Sequence, residues 1–147
     1  MVALIQRVKS SWIKIENKEI SHIGIGYNIL LGVMKEDTED DIQKLVKKIV
    51  KLRLFPNSEG KMDKNILEVN GEVLVVSQFT LAGNAKKGNR PDFTAAMPPK
   101  EAKELYETFC KELAKHIPTK TGIFGAMMEV GIINDGPVTL ILDSKKL

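Results

Sequence analysis

Hydrophobic and polar positions alternate over short distances in the first third of the chain. Leu4–Lys9 and Trp12–Ile15 mix β-branched and polar residues, Glu16-Asn17-Lys18 supplies a turn, and two further apolar-rich runs, Ile20–Ile25 and Asn28–Val33, are parted by Gly24 and Gly26. Short runs of this kind predict strands, and their close succession predicts an antiparallel meander. The period then lengthens. Ile42, Leu45, Val46, Ile49 and Val50 recur at the spacing of one buried helix face. Thr38 is placed to cap that helix, with Asp41 three residues on, and Glu39 and Asp40 suit the positive end of its dipole. Lys47, Lys48 and Lys51 fall toward the other end, where positive charge is favoured, so they read as a solvated helix face rather than an RNA patch.

Further on, Asn57–Gly60 is a turn, and Asn70-Gly71 predicts a hairpin joining Ile66–Val69 to Glu72–Val76. Val73–Val76 is apolar on both faces, which places it at the centre of a covered sheet. It runs directly into Ser77-Gln78-Phe79-Thr80-Leu81. A loop from Ala82 to Met97 follows, and Pro98-Pro99 opens a second helix whose stripe is Ala102, Leu105, Tyr106, Phe109, Cys110 and Leu113, with Pro118 beyond its end. Two closing strands, Met127–Ile133 and Val138–Leu142, are separated by Asn134-Asp135-Gly136-Pro137. The sum is an α+β domain of largely antiparallel strands with two helices.

Composition narrows the chemistry. A chain of 147 residues with 43% hydrophobic and 28% charged residues reads as one globular domain. At that size a chain buries roughly 68–70% of its unfolded surface and needs no cross-link to hold its core. Cys110 is the only cysteine, so no internal disulfide forms, and with His22 and His116 alone beside it a structural zinc site has too few ligands. Cys110 lies in an apolar helix stripe and reads as a packed thiol. His22 falls in an amphipathic strand and His116 at a helix end, both structural placements. The net charge of +3 and a pI near 8.9 suit anions without establishing that they bind, since a dedicated nucleic-acid domain more often exceeds pI 9 with its basic residues on one face. No leader pattern or membrane-length apolar run is present, and a cytoplasmic protein is expected.

Several motif matches fail on chemistry. Gly83-Asn84-Ala85-Lys86-Lys87-Gly88 has the glycine spacing of a phosphate loop but continues Asn89-Arg90 where Lys and Ser/Thr are required. Gly24-Ile25-Gly26 lacks the third glycine of a dinucleotide fingerprint. Two segments stand out instead. Ser77–Leu81 puts two hydroxyls and an amide at the end of a buried strand, where period two sends Ser77 and Phe79 to one face and Gln78 and Thr80 to the other. It is either a strand end entering solvent or a site. In Asn134-Asp135-Gly136-Pro137-Val138-Thr139, an ordinary turn signal is followed at once by a proline that removes a backbone donor and restricts the glycine. A weaker signal is Lys86-Lys87-Gly88-Asn89-Arg90-Pro91, with three cations within five residues, either a solvated loop or a phosphate contact.

In order and spacing these segments resemble the D-aminoacyl-tRNA deacylase family. The resemblance rests on Ser77–Leu81 and Asn134–Thr139, supported by Ala3–Val8, Leu30–Val33, Gly60–Met62, Arg90–Phe93 and Thr121–Met128, and it spans nearly the whole chain. It implies a three-layer ββα-like sandwich forming a homodimer with active sites shared across subunits. The implied activity is hydrolysis of the ester between a D-amino acid, or glycine, and the 3′ end of tRNA, including glycyl-tRNA mischarged on tRNA(Ala), with no cofactor and no metal. By resemblance, Ser77, Gln78, Phe79 and Thr80 form the catalytic floor, with Thr80 as an orienting hydroxyl or as nucleophile. Gly136-Pro137, as a cis pair from the partner subunit, excludes L-side chains, supported by Arg7, Asn134 and Thr139. Phe124 and Met128 match the adenosine or substrate pocket, with core packing as their other reading. Lys86, Lys87 and Arg90 are the expected tRNA phosphate contacts. Two other functions fit the same scaffold: a relaxed deacylase that removes misplaced L-amino acids, and a non-catalytic nucleic-acid-binding dimer.

Overall fold

In the computed structural model, which describes residues 1–147, one long strand organises the molecule. Strand β1 (Val2–Ile15) pairs antiparallel with β2 (Lys18–Ile23), with β3 (Gly26–Gly32) and with β8 (Glu129–Asp143). The first half of β1 lies between β3 and β8 and its second half between β2 and β8. The expected meander is therefore corrected: β1 sits between its two successors, and the two short runs read from its sequence are a single strand. Strand β6 (Glu72–Ser77) joins β3 in parallel, and β7 (Thr119–Thr121) joins β6 in parallel. The sheet is mixed, because chain crossovers through the two helices bring these strands in with the same direction.

The six-stranded sheet curls until its ends meet. The Ser21 hydroxyl on β2 donates to the Thr121 carbonyl on β7 at 2.6 Å, and the Lys120 ammonium donates to the His22 carbonyl at 2.6 Å. Inside the curl lies a small core of Val8, Ile13, Ile23, Leu74 and Val76. The other face carries the main core, where Ala3, Ile5, Tyr27, Ile29, Leu31, Val73 and Val75 meet helices α1 (Glu39–Lys51) and α2 (Pro99–Ala114). A single curled sheet with two helices on one face thus stands in place of two sheets within the chain. The α+β class and the two helices are as expected from the pattern.

Helix α1 begins where its caps demand. The Thr38 N–H donates to the Asp41 carboxylate at 2.8 Å, and Ile42, Leu45, Val46 and Ile49 are buried. Asp41 also accepts from Ser144 at 2.6 Å and pairs with Lys145 at 2.9 Å. Burial alone would raise its pKa, but these partners, the Thr38 N–H and the nearby Met1 ammonium hold the carboxyl well below the usual range. Helix α2 presents the expected stripe, with Tyr106 donating to the Val75 carbonyl at 2.8 Å. Burial pushes the Cys110 thiol up to about 12, so it is a packing group with almost no thiolate at neutral pH.

Two further expectations are corrected. Ile66–Val69 is a run of turns, not a strand, so Asn70-Gly71 does not close a hairpin. Ile66 is buried against Gly71, and Glu72 instead pairs with Gly26. A separate two-stranded ribbon forms from β4 (Phe55–Pro56) and β5 (Met62–Lys64). The closing segments are one strand, β8, interrupted opposite Arg7: Thr139 faces Gln6 and Asn134 faces Val8, leaving residues 135–138 as an outward bulge.

Candidate functional site

Strand β6 ends at Ser77, and the chain turns at once into a 3-10 segment, Phe79–Ala82. The strand alternation expected through Leu81 is therefore replaced by a tight turn. Its seat is Gly32 on β3, where a Cβ would lie 2.9 Å from the Leu81 Cβ and 3.1 Å from the Gln78 carbonyl. Only glycine lets the turn approach this closely. The Gln78 N–H still bonds the Leu31 carbonyl at 2.8 Å, which anchors the turn to the sheet. The Gln78 amide then donates to the Thr80 hydroxyl at 2.5 Å.

Beside this turn lies a cavity of about 650 Å³. Ser77, Gln78 and Phe79 form one side of it and Phe124 and Met128 another, so five of the residues singled out in the sequence meet here. Phe79 is 58% exposed at the mouth and packs edge-on against Phe93 with ring centres 5.3 Å apart. The sequence reading missed the remaining wall. Met97, Pro98 and Pro99 line it, although the prolines registered only as a helix start, and Met127, 92% exposed, stands at the rim. Nothing in the sequence marks these residues as a wall, because their exposure is set by the fold.

None of the 17 lining residues is ionisable. The cavity offers hydroxyl, amide and backbone groups but no general base or acid of its own, and no His, Cys, Asp and Glu side chains cluster in the chain as metal ligands would. Thr80 itself does not line the cavity; its hydroxyl is exposed and held by Gln78.

The second motif is built separately. Gly136-Pro137 is cis and both residues are exposed on the bulge of β8. The bulge is held from within and from below. The Asn134 carboxamide oxygen accepts from the Val138 N–H at 2.7 Å, while its NH2 donates to the Val138 carbonyl at 3.2 Å and to the Thr139 hydroxyl at 3.1 Å. Arg7, only 8% exposed, reaches across from β1. Its Nε donates to the Asp135 carbonyl at 2.9 Å and its Nη1 to the Leu54 carbonyl at 2.6 Å. Tyr27, stacked on Phe55, is the β3 partner of Arg7; burial raises its phenol pKa and the Arg7 charge lowers it only in part.

These two constructions do not meet within one chain, for no residue from 134 to 139 lines the cavity. Arg7 marks the bulge, whereas Ser77 stands level with Leu31 and Ala3, three strands across from β8 and four residues along. At strand spacings of about 4.8 Å and rises of about 3.3 Å, the separation is on the order of 15–20 Å. The cationic loop is a third element. Asn84 and Asp92 exchange backbone hydrogen bonds at 2.8 Å each, so Lys86, Lys87 and Arg90 are carried exposed at the tip of a small hairpin.

Comparison with known proteins agrees with this architecture. The sequence model of the family described as D-Tyr-tRNA(Tyr) deacylase matches residues 4–143. A curated D-aminoacyl-tRNA deacylase of Nitratiruptor sp. is 82% identical over 147 residues, covering 100% of both chains. Another from Persephonella marina is 55% identical over the full length of both. Among solved structures, one titled as a c-Myc DNA unwinding element binding protein superposes with a TM-score of 0.92 at 42% identity, covering 97% of this chain and 98% of that one. A probable eukaryotic D-amino acid tRNA deacylase shares the fold at a TM-score of 0.82 and 16% identity, covering 96% of this chain and 97% of that one.

Proposed function

This chain belongs to the D-aminoacyl-tRNA deacylase family and is a hydrolase of that class, and from that premise we propose that two copies build each active site. The cavity beside Ser77–Phe79 of one copy receives the terminal adenosine and its ester, and Gly136-Pro137 of the other copy closes over it. The observation that carries this reading is the separation of the two constructions within the chain, each well braced and each exposed. A strip on β8 supports the pairing, since Ile133 and Ile141 are 46% and 68% exposed apolar residues flanking the bulge.

In this arrangement the reaction needs little from side chains. Water adds to the ester carbonyl, the bond to the ribose oxygen breaks, and that oxygen leaves with a proton, giving free tRNA and free amino acid. An aminoacyl ester is already activated, and the neighbouring 2′-hydroxyl of the ribose can relay the proton if the site orients it. Positioning and fixed hydrogen-bond donors then lower the barrier, as a cavity without ionisable lining requires. Thr80 acts as an orienting hydroxyl through Gln78. A nucleophilic role fits poorly, because its partner is an amide rather than a base.

Selectivity is steric. The exposed backbone of Gly136-Pro137 leaves room for hydrogen, as in a glycyl ester, or for a D-side chain, and none for an L-side chain. Lys86, Lys87 and Arg90 contact tRNA phosphates beyond the cavity. The test is ester loss from D-tyrosyl-, L-tyrosyl- and glycyl-tRNA at one enzyme concentration. Fast loss of the D- and glycyl esters with the L-ester at its uncatalysed rate is expected. Equal loss of D- and L-esters would favour the relaxed deacylase, and tRNA binding with no ester loss a purely binding protein.

A further inference from the structure

A second cavity, of about 500 Å³, lies on the far side of the Phe79–Ala82 turn. The wall between the two is thin. Phe79 lines the first cavity while Leu81 and Ala82 line the second, and the adjoining Ala96 and Ala95 divide in the same way. Three residues of 3-10 segment advance about 6 Å, comparable with one step along an unstacked nucleotide strand, for which a stacked step is about 3.4 Å.

The two cavities differ in chemistry. The first has no ionisable lining, whereas Lys35, Glu36, Asp37, Asp143 and Lys145 surround the second. Some of these charges are already committed. Asp37 is buried, pairing with the Met1 ammonium at 2.7 Å and accepting the Met34 N–H at 2.6 Å, and Lys145 pairs with Asp41 at 2.9 Å. Lys35 and Glu36 are exposed, and Asp143 uses one oxygen on the Lys145 N–H. What remains is an apolar floor of Met34, Leu81 and Ala82, a cation at the edge and carboxylate oxygens able to accept hydrogen bonds.

We propose that this second cavity is a nucleotide subsite that receives the cytidine preceding the terminal adenosine of the tRNA. This rests on the reading that the first cavity holds that adenosine. A cytosine ring has flat faces for the apolar floor and an exocyclic amine that donates to a carboxylate, the pairing by which Asp and Glu select cytosine. Its 3′-phosphate then lies over the dividing turn, with Lys35, a lining residue whose charge also acts on Asp92, on the loop side. The exposed hairpin of Lys86, Lys87 and Arg90 begins just beyond, since Lys35 is tied to that loop by its N–H to the Ala95 carbonyl at 3.0 Å. Uracil presents an acceptor where cytosine presents the amine, so Glu36 discriminates between them.

The test uses 3′-D-tyrosyl esters of adenosine, of the dinucleotide CpA and of UpA, with the unesterified dinucleotides titrated calorimetrically. The KM for the CpA ester is expected to fall about 10-fold below that of the UpA and adenosine esters. Lys35→Ala and Glu36→Ala should remove that advantage while leaving adenosine-ester kinetics unchanged. Unesterified CpA should bind more tightly than UpA. Equal KM for the three esters with equal binding of the two dinucleotides would overturn the subsite, as would variants that slow the adenosine ester equally. If the esters are not cleaved but CpA still binds selectively, the hydrolytic reading fails and the subsite stands.

Discussion

Gly136→Ala should lower kcat/KM on D-tyrosyl-tRNA about 100-fold while leaving the protein folded. The argument is local. Gly136 has φ +140, and an added Cβ would sit 2.8 Å from the Val138 side chain, 3.1 Å from the Val138 nitrogen and 3.2 Å from the Arg7 guanidinium. Backbone at such an angle costs an L-residue about 1–3 kcal/mol, which the bulge can relieve only by moving. Of the bulge only Val138 packs against the main core, and the residues on either side stay paired with β1, so the movement is local and leaves the sheet intact. The site loses its shape, and a misplacement of about 1 Å is enough for a loss of this size. Rejection should weaken with it, so that the ratio of D- to L-ester turnover narrows. A variant with wild-type turnover and selectivity would show that the backbone here does not touch the substrate.

Arg7→Lys carries the second large effect, and it falls on stability and selectivity together. The guanidinium donates to two carbonyls, at Asp135 and Leu54, from a position 8% exposed. A lysine ammonium cannot reproduce that planar fork. Each carbonyl left without its donor costs about 1–3 kcal/mol, and for a chain of this length each kcal/mol lowers Tm by about 2–4 °C. With two carbonyls affected, a fall of roughly 4–24 °C in Tm is therefore expected, read by thermal unfolding. Turnover of L-tyrosyl-tRNA should rise at temperatures where the variant is fully folded, because the bulge has lost its brace. If Tm falls and selectivity is unchanged, Arg7 is a structural residue only.

How far the sequence reached depends on the range of the interactions that decide each element. Helices α1 and α2 were legible because their caps, dipole charges and stripes are local, and Thr38 with Asp41 or Pro98-Pro99 sets a boundary without help. Asn70-Gly71 misled because the partner of Glu72 is Gly26, far away in the chain, and the parallel crossover that joins them leaves no local mark. The turn at Phe79 was hidden for the same reason. Its cause is the missing side chain of Gly32 on a neighbouring strand, which no alternation within Ser77–Leu81 records. The site was legible as motifs and not as a place. Ser77, Gln78, Phe79, Phe124 and Met128 do converge, yet Thr80 is not among the residues that line the cavity and Gly136-Pro137 stands in a different part of the sheet. Walls such as Met97 and Pro99 carry no chemistry that a sequence could flag.

The claim that one copy's cavity works with another copy's Gly136-Pro137 is tested most directly by mixing two defective variants. Ala126→Trp is chosen to fill the cavity, which Ala126 lines, and Gly136→Ala to displace the bulge. Alone, Ala126→Trp should be inactive on D-tyrosyl-tRNA and Gly136→Ala should keep only about 1% of wild-type turnover. Co-expressed with different tags and purified as the unselected mixture, they should regain about a quarter of wild-type activity, since half of random dimers are mixed and each mixed dimer holds one intact site. Recovery confined to doubly tagged dimers would match the shared site. Mixed dimers with no activity above that of either variant alone would contradict it and return both motifs to a single chain.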